Sequence, residues 1–339
     1  MKIRAKDIAA KLGVSPATVS NALNGRNGVG EELRDRILKT AQQMGYESGK
    51  LTSDRKPFIR VLIMKTAGNI IVDTQFFSEM FESIQIECHR AGLELIMNHV
   101  FVNEETPWQT MLAEYCAEKC AGIIVLATEM SNDMLRWFSD CNSPLVALDN
   151  LCRNEPIHSV VMNNLEAGYL ATKELYENGH RRIGHIASSY VFSNAVFRQA
   201  GYEAALRDYH LESQKDIWPV HVSIEGAYRD MKALLETGRA LPSAFFACND
   251  SAAVGAIRAM QEKGIRIPED VSIIGMDDTD VCLACNPQLT TMHVFRREMG
   301  RVAVRQILNY PNAEDGCYLK TEISVSLVRR SSVQRIHAD

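Results

Sequence analysis

The chain has 339 residues, 46% of them hydrophobic and 23% charged, which is the balance of a globular protein. This length exceeds one ordinary core, so we expect a small domain beside a larger, two-lobed one. The longest apolar runs, such as 122–128, are too short for a bilayer span, and residues 1–7 contain no apolar signal core. We therefore expect a cytoplasmic protein with no membrane contact.

Charge is divided unevenly along the chain, whose net charge is −5. Residues 1–56 contain eleven Lys and Arg against six Asp and Glu, whereas 57–339 contain 26 against 36. A basic head on an acidic body predicts that only the head meets a polyanion, because the body is repelled from it.

Nine cysteines are scattered through the chain, several of them in apolar runs, and this distribution is typical of buried, reduced thiols. Cys282 and Cys285 have the C-x-x-C spacing, but no second pair or neighbouring His completes a four-ligand zinc set. We therefore expect neither a metal site nor a cofactor.

Three short helices are predicted within residues 1–46. Apolar side chains recur at helical spacing in three stretches: Ala5, Ile8, Ala9 and Leu12; then Val19, Ala22 and Leu23; then Leu33, Ile37, Ala41 and Met44. Gly13 ends the first stretch, and Ser15-Pro16 begins the second with an N-cap and a proline at the first helical position. The short connection between the first two helices is that of a helix-turn-helix.

The second helix carries small or short polar side chains on its outward face. They are Pro16, Ala17, Thr18, Ser20, Asn21 and Asn24. Such a face fits deep into a major groove, where Asn21 can bond an adenine edge and Thr18 or Ser20 a phosphate or base. The alternative is an ordinary solvated face of a helical bundle, and patterning alone does not separate the two.

The amino-acid sequence of this segment resembles that of the headpiece of the LacI/GalR family of bacterial regulators. The similar residues are K-D-I-A at 6–9, G-V-S-P-A-T-V-S-N-A-L-N at 13–24, Val29 and Gly45-Tyr46. The resemblance implies that Pro16, Ala17 and Asn21 read bases. It implies backbone-contacting or supporting positions for Ser15, Thr18, Ser20 and Asn24. Arg4 stands where the family has a Thr or Ser that caps the first helix, so that phosphate contact is altered here. Lys6 completes the predicted DNA contacts of the first helix.

The segment 47–57 departs from the family, which continues with a short helix whose Leu wedges into the minor groove. The family's Pro, Asn, Ala and wedge Leu are replaced here by Ser48, Gly49, Thr52 and Arg55. A glycine weakens a helix and an arginine cannot act as an apolar wedge. We therefore expect a flexible, basic linker in which Arg55 and Lys56 follow phosphates or a narrow minor groove.

We expect this protein to bend its operator less than a typical family member does. Leu51, the only apolar residue in 47–56, lies one helical turn too early to replace the wedge. A gel assay on circularly permuted operator fragments measures the bend for the wild type and for Leu51→Ala. Shallow, equal bends are expected, and a strong central kink that disappears in Leu51→Ala would contradict the hypothesis.

From Phe58 onward, apolar strands alternate with helices. The predicted strands are 58–64, 93–97, 122–126, 144–148, 183–187, 244–247, 271–275 and 290–293, and the predicted helices include 76–91, 164–177, 198–209, 226–237 and 251–263. Gly92, Gly179 and Gly264 follow three of these helices, as C-caps do. Nearly continuous apolar strands indicate parallel sheets covered on both faces, in which ligands bind beyond the carboxyl ends of the strands.

The family resemblance extends through this body, at 178–186, 198–202, 242–256, 268–278 and 287–291. It implies an all-α headpiece plus an α/β body of two Rossmann-like lobes, of the periplasmic-binding-protein-like class I type, joined by three crossovers. We place the headpiece at 1–46, the linker at 47–57 and the effector-binding and dimerisation domain at 58–335. The first lobe is expected at about 58–150 and 294–322, the second at about 156–289 and 323–335.

Four polar residues are predicted to bind a ligand. Asp149, Asn249 and Asp277 each follow an apolar strand, and Arg198 opens a predicted helix. Two carboxylates, an amide and a guanidinium can bond vicinal hydroxyls, and the resemblance also puts these four at ligand-contacting positions. A structural ion pair between Asp277 and Arg198 is the alternative.

Three further residues are weaker candidates. Phe76 and Phe77 follow the first strand, where an aromatic face can stack on a sugar ring, and Asn194 lies close to Arg198 in sequence. Phe77 is as readily explained as core, because aromatic residues on helices usually are.

The sequence contains no G-x-G-x-x-G after a strand, no G-x-x-x-x-G-K-[ST], no G-x-S-x-G and no H-E-x-x-H, so we expect no enzymatic activity.

One headpiece reads too few base pairs for genomic specificity, so a homodimer on palindromic double-stranded operator DNA is predicted, with a tetramer left open. We expect a repressor of carbohydrate use that is controlled by a small effector, namely a sugar or sugar derivative. The alternative is an empty cleft, or one that senses a non-sugar metabolite or a protein partner. A transport-type binding protein would share the body but not the basic headpiece.

Overall fold

The computed structural model describes residues 4–23, 29–44, 56–66, 74–103, 105, 107–309 and 316–336. The chain divides into two compact units, Met1–Pro57 and Phe58–Asp339. Asn24, Arg55 and residues 47–54 lie outside the described residues, so the predicted roles of this linker and of Asn24 stay predictions. Among the helices that are described, none is long and apolar enough to cross a membrane.

The first unit contains three helices, α1 (Ala5–Leu12), α2 (Pro16–Leu23) and α3 (Glu31–Gln43). Their core consists of Ile8, Ala9, Val19, Ala22, Leu23, Ile37 and Ala41. Gly13 ends α1 with a φ of 67°, a left-handed conformation that suits glycine. The Ser15 hydroxyl accepts the Thr18 N–H at 3.0 Å and so caps α2. The predicted helix-turn-helix is confirmed.

The second unit alternates strands with helices. The strands are β1 (Phe58–Lys65), β2 (Glu94–Phe101), β3 (Gly122–Leu126), β4 (Leu145–Leu148), β5 (His158–Met162), β6 (Ile183–Ser188), β7 (Asp216–Val220), β8 (Ala244–Ala247), β9 (Ser272–Asp277), β10 (Thr290–Val294), β11 (Lys320–Ile323) and β12 (Val325–Val328). The helices are α4 (Thr74–Arg90), α5 (Trp108–Ala117), α6 (Asn132–Leu135), α7 (Asn164–Glu177), α8 (Ser193–Asp208), α9 (Ile224–Glu236), α10 (Asp250–Glu262), α11 (Val281–Ala284) and α12 (Arg296–Asn309).

Two six-stranded sheets form the two lobes. Their strand orders are β11-β5-β4-β3-β1-β2 and β12-β10-β9-β8-β6-β7. Neighbouring strands are parallel except for β12, which runs antiparallel to β10. The predicted class, an all-α headpiece with an α/β body of two parallel-sheet lobes, is confirmed.

Alternate residues of one strand face different helices. In β1, Val61 packs in the core that contains Met80 of α4 and Met299 of α12. Its neighbour Leu62 packs in the core that contains Leu112 of α5. Because successive side chains point to opposite faces and both faces are covered, the strand is apolar on both faces except for Arg60, which pairs with Glu118, and Lys65 at its end.

The chain crosses between the lobes three times, at 162–164, 294–296 and 323–325. The first crossing corrects the predicted boundary, which assigned residues from 156 onward to the second lobe. β5 pairs with β4 and β11 in the first sheet, so the first lobe continues to Met162.

Three other strands were also missed in the sequence. β7 contains Pro219, which weakens a strand pattern but is tolerated here because β7 is an edge strand. β11 and β12 are separated by only Ser324, yet they belong to different sheets. The stretch 320–328 alternates polar and apolar residues, and the residue at which it changes lobe cannot be found from that pattern alone.

Helices α7 and α8 touch backbone to backbone at two glycines. A Cβ atom on Gly168 would lie 2.0 Å from the Arg198 carbonyl oxygen, and one on Gly201 would lie 2.0 Å from the Leu165 carbonyl oxygen. Only hydrogen fits at these two positions. This close crossing sets the position of α8, which carries Asn194 and Arg198, against the first turn of α7.

Cys116 and Cys141 form a disulfide bond, so the expectation that all nine cysteines are reduced is wrong for this pair. The bond joins the end of α5 to the segment before β4, where the Asn142 N–H also donates to the Cys116 carbonyl oxygen at 3.1 Å. These two segments are brought together by the sheet, which the sequence spacing does not show. The other seven cysteines are free, Cys282 and Cys285 among them.

Candidate functional site

The outward face of α2 has the polarity that the sequence predicts. Ser15, Pro16 and Ala17 are exposed, and Thr18, Ser20 and Asn21 are half-buried. The Ser15 and Thr18 hydroxyls lie 2.8 Å apart, so this pair stiffens the start of the helix. Small side chains leave the backbone of this face open to a close approach by another molecule.

Arg4 takes part in capping α1 through its backbone. Its N–H donates to the Asp7 carboxylate at 2.8 Å, and the Asp7 N–H donates to the Arg4 carbonyl oxygen at 2.8 Å. The Asp7 carboxylate thus satisfies the N–H of the N-cap residue Arg4, which is one half of a capping box. Arg4, Lys6 and Lys56 are exposed, as a contact with phosphates requires.

The seven residues predicted to bind a ligand line one cavity in the second unit. They are Phe76, Phe77, Asp149, Asn194, Arg198, Asn249 and Asp277. They come from both sheets, at the carboxyl ends of β4, β8 and β9 and from the starts of α4 and α8. The cavity has a volume of about 50 Å³, and the Asn194 amide reaches across it to Asp149 at 2.9 Å, so the two lobes meet in a closed arrangement.

Asp149 lies at the floor of this cavity in a left-handed conformation, with a φ of 65°. Its carboxylate accepts hydrogen bonds from the Thr128 hydroxyl at 2.6 Å and from the Asn194 amide at 2.9 Å. Burial raises the pKa of Asp149 to about 6, although the Thr128 hydrogen bond and the charge of Arg198 act in the opposite direction. Because Asp149 follows β4 and Asn194 lies on α8, their hydrogen bond joins the two lobes.

Arg198 is buried, and most of its donors are used by the protein itself. Its Nε donates to the Asn164 side chain at 2.9 Å, and Nη1 donates to the Cys248 carbonyl oxygen. Nη2 lies 3.5 Å from the Asp277 carboxylate, longer than a bidentate pair. The ion pair considered as the alternative is therefore present in a loose form. The prediction that Arg198 opens a helix is wrong, because α8 begins at Ser193 after the extended Phe192.

Asn249 has a structural task in addition to its place in the cavity. Its side-chain oxygen accepts the Ala252 N–H at 2.8 Å and caps α10, and its amide donates to the Val222 carbonyl oxygen at 3.0 Å. This residue therefore also holds the start of α10 beside the end of β7.

Phe76 and Phe77 lie edge to face, with ring centroids 5.0 Å apart. Both are buried in the core of the first lobe and both line the cavity. Phe77 is therefore both a core residue and a residue of the cavity wall, so its two interpretations do not exclude each other.

Four further residues line the cavity and were missed in the sequence: Thr128, Met162, Phe192 and Val222. Thr128 is a polar residue just beyond the apolar strand β3. Asp149 was predicted from the same kind of signal, a polar residue after an apolar strand. Met162 ends β5 and Val222 follows β7, two strands that the sequence pattern did not reveal.

The comparisons with known proteins agree with both units. Residues 5–48 match the family described as "Bacterial regulatory proteins, lacI family", and residues 172–333 match a "Periplasmic binding protein-like domain". An HTH-type transcriptional repressor PurR of Haemophilus influenzae (strain PittEE) is 31% identical over 339 residues, covering 98% of each chain.

Two solved structures are also similar. The lac repressor dimer bound to operator and the anti-inducer ONPF has a TM-score of 0.72 at 22% identity, covering 98% of this chain and 100% of that one. A LacI family transcriptional regulator from Enterococcus faecium with bound ribose has a TM-score of 0.67 at 25% identity, covering 82% and 100%.

The helix-turn-helix unit and the two-lobed body together define a transcriptional regulator of the helix-turn-helix class. The chain belongs to the LacI family of bacterial regulators, the DNA-binding transcriptional repressors that its sequence resembles.

The raised pKa of Asp149 gives the protein a defined pH dependence. A folded-state pKa of about 6, above the ordinary 3.8, contributes stability that is complete below pH 4 and lost as pH rises through 6. Asp149→Asn lacks this contribution. The free energy of unfolding of the variant minus that of the wild type should therefore increase by up to about 3 kcal/mol as the pH rises from 4 to 7.

Urea unfolding of both proteins across this pH range measures the difference. Asp133→Asn, whose side chain is 87% exposed, serves as the control and should give a curve parallel to that of the wild type. Parallel curves for Asp149→Asn as well would show that Asp149 titrates normally.

Proposed function

We propose that this protein is a cytoplasmic repressor that binds a palindromic operator as a homodimer. Its operator affinity is set by a neutral sugar or sugar derivative in the interlobe cavity, and it acts by binding, without catalysis. The observation that carries this proposal is the convergence of aromatic, carboxylate, amide and guanidinium groups on one cavity between two lobes. The dimer on operator and the bound ribose of the two solved relatives support it.

The charge of the cavity favours a neutral ligand. Among its described lining residues, Asp149 and Asp277 carry carboxylates and only Arg198 carries a cation. The guanidinium already donates to Asn164 and Cys248, so little of it remains for an anion. Carboxylates accept hydrogen bonds, which hydroxyl groups can donate. A polyhydroxylated ligand therefore suits this cavity better than a sugar phosphate does.

The apolar part of the cavity favours a ligand with one apolar face. Phe76, Phe77 and Phe192 line it together with Met162 and Val222. A sugar ring has C–H faces that pack on aromatic rings, while its rim hydroxyls reach the polar groups. The cavity thus combines packing for one surface of a sugar with hydrogen bonds for its edge.

The exposed face of α2 is the proposed base-reading surface. If Asn21 bonds a base edge, Asn21→Ala should lose about 1–3 kcal/mol of binding free energy on operator only. Lys6→Ala removes a proposed phosphate contact, so it should weaken operator and unrelated DNA alike and reduce the salt slope by about 1.

Fluorescence anisotropy with a duplex selected from a random library, and with a scrambled duplex, measures both effects over a range of salt concentrations. The two variants are matched controls for one another because they lie in the same small domain. Equal losses on both duplexes for Asn21→Ala would remove Asn21 from the base-reading surface.

Isothermal titration tests the ligand directly. We expect heat with one neutral sugar from a panel that includes D-ribose, and none with the corresponding phosphate esters. Asp277→Asn should weaken that binding by about tenfold or more, because a hydrogen bond to a charged group is lost. Asp133→Asn, on the exposed surface, is the control and should bind as the wild type does.

Addition of the active sugar to the operator complex then shows whether it releases or strengthens DNA binding. Heat with phosphate esters alone would contradict the neutral ligand. No heat with any sugar would favour a non-sugar metabolite or a protein partner instead.

A further inference from the structure

Arg296 is a buried arginine behind the cavity, and its side chain is only 7% exposed. It is the first residue of α12, directly after the second crossing between the lobes. α12 packs in the core of the first lobe, through Met299, Ala303 and Val304. The guanidinium of Arg296, however, contacts both lobes.

On one side, Arg296 holds the turn that follows β9 in the second lobe. Its Nη1 donates to the Asp277 carbonyl oxygen, and Nη1 and Nη2 each lie 3.3 Å from the Asp278 carbonyl oxygen. Asp277 and Asp278 have φ values of 114° and 56°, a region that residues with a side chain rarely adopt. Such a turn persists only where its surroundings hold it, and here the guanidinium fork binds both of its carbonyls.

The side chain of Asp278 is held separately from its carbonyl. Its carboxylate accepts from the His293 ring at 2.8 Å and from Arg330 at 2.6 Å. The His293 hydrogen bond, followed by that of Arg330, lowers the pKa of Asp278 to about 2 against the effect of burial. Asp278 therefore points away from the cavity while its neighbour Asp277 lines it.

On the other side, Arg296 holds the first turns of α4 in the first lobe. Its Nε lies 3.3 Å from the Glu79 carboxylate, and its guanidinium carbon lies 5.7 Å from the centre of the Phe76 ring. Phe76 and Glu79 are three residues apart, so they lie on one face of α4. Phe76 is itself part of the cavity wall.

We propose that Arg296 is a positioning residue that links the two walls of the cavity. It fixes the turn that directs Asp277 into the cavity from one lobe, and it holds the helix that carries Phe76 from the other. Opening of the lobes must break one set of these contacts, so Arg296 stabilises the closed arrangement. The link to ligand control rests on the proposed function, whereas the link between the lobes does not.

The neighbouring Arg297 provides a matched comparison. Its Nη2 lies 2.8 Å from the Glu82 carboxylate on the same helix α4, but both side chains are about half exposed, at 52% and 55%. An exposed pair of this kind contributes little. Among the residues that the structure describes, Arg297 forms no hydrogen bond or ion pair with the turn after β9. Loss of Arg297 therefore removes a positive charge and a contact between α12 and α4 without loss of the interlobe link.

Hydrogen–deuterium exchange of the full-length, ligand-free protein tests the proposal. In Arg296→Met, backbone amides of 277–280 and 74–82 should exchange about tenfold faster than in the wild type, because charge-assisted hydrogen bonds at both sites are lost. Amides of β6, in the core of the second lobe, should exchange at the wild-type rate. Arg297→Met should match the wild type in all three segments.

Glu79→Gln provides a second variant that leaves the buried guanidinium in place. It should accelerate exchange in 74–82 by a smaller factor. In the double variant with Arg296→Met, exchange should be no faster than in Arg296→Met alone, because both changes remove one shared interaction. A merely structural arginine would instead accelerate β6 together with the two segments.

Either uniform acceleration, or acceleration that is additive in the double variant, overturns the proposal. So does wild-type exchange at 277–280 in Arg296→Met. Because no ligand is used, a sugar panel without heat would overturn the proposed effector and leave the exchange result unaffected. Equally, wild-type exchange in Arg296→Met would overturn the interlobe link and leave the proposed effector unaffected.

Discussion

The cavity depends on one geometric constraint: parallel strands leave both sheets at the same edge, and those two edges face each other. The residue at or directly after the end of such a strand lines the cavity. Asp149 follows β4, and Asp277 is the last residue of β9. The helices on both faces of each sheet exclude water from the strands but not from their ends. Polar groups therefore collect at the interlobe edge, where a small polar molecule can reach the strand ends.

Contacts across that edge decide how the lobes are arranged. The Asn194 amide joins α8 to Asp149, and the Arg296 guanidinium joins α4 to the turn after β9. Asn194, Asp149 and Arg296 are buried, where a lost partner costs more than it does at the surface, whereas Glu79 is 40% exposed. In the proposed mechanism a ligand enters between these links, and it shifts the balance between open and closed lobes only by its difference in affinity for the two.

Site residues were predicted wherever a local signal marked them. Asp149, Asn249 and Asp277 are polar residues at the ends of apolar strands, and a parallel sheet places such ends together. Met162 and Val222 were not found, because the strands before them begin with polar residues or contain Pro219 and so lack an apolar pattern. Arg198 was placed in the cavity but at the wrong helical position, since the extended Phe192 and the true start at Ser193 carry no strong capping signal.

The sequence by itself determined the helix-turn-helix, because three short amphipathic helices with a tight turn are encoded by residues close to one another. It also determined the alternating α/β body, through apolar runs that the pleat and the helical repeat make periodic. Only the tertiary structure decided that β5 belongs to the first lobe, that Cys116 pairs with Cys141, and that Arg296 contacts both walls of the cavity. Those facts depend on pairs such as Arg296 and Glu79, which lie 217 residues apart. They are brought together because the chain crosses to the second lobe and back between them, and no local pattern shows this.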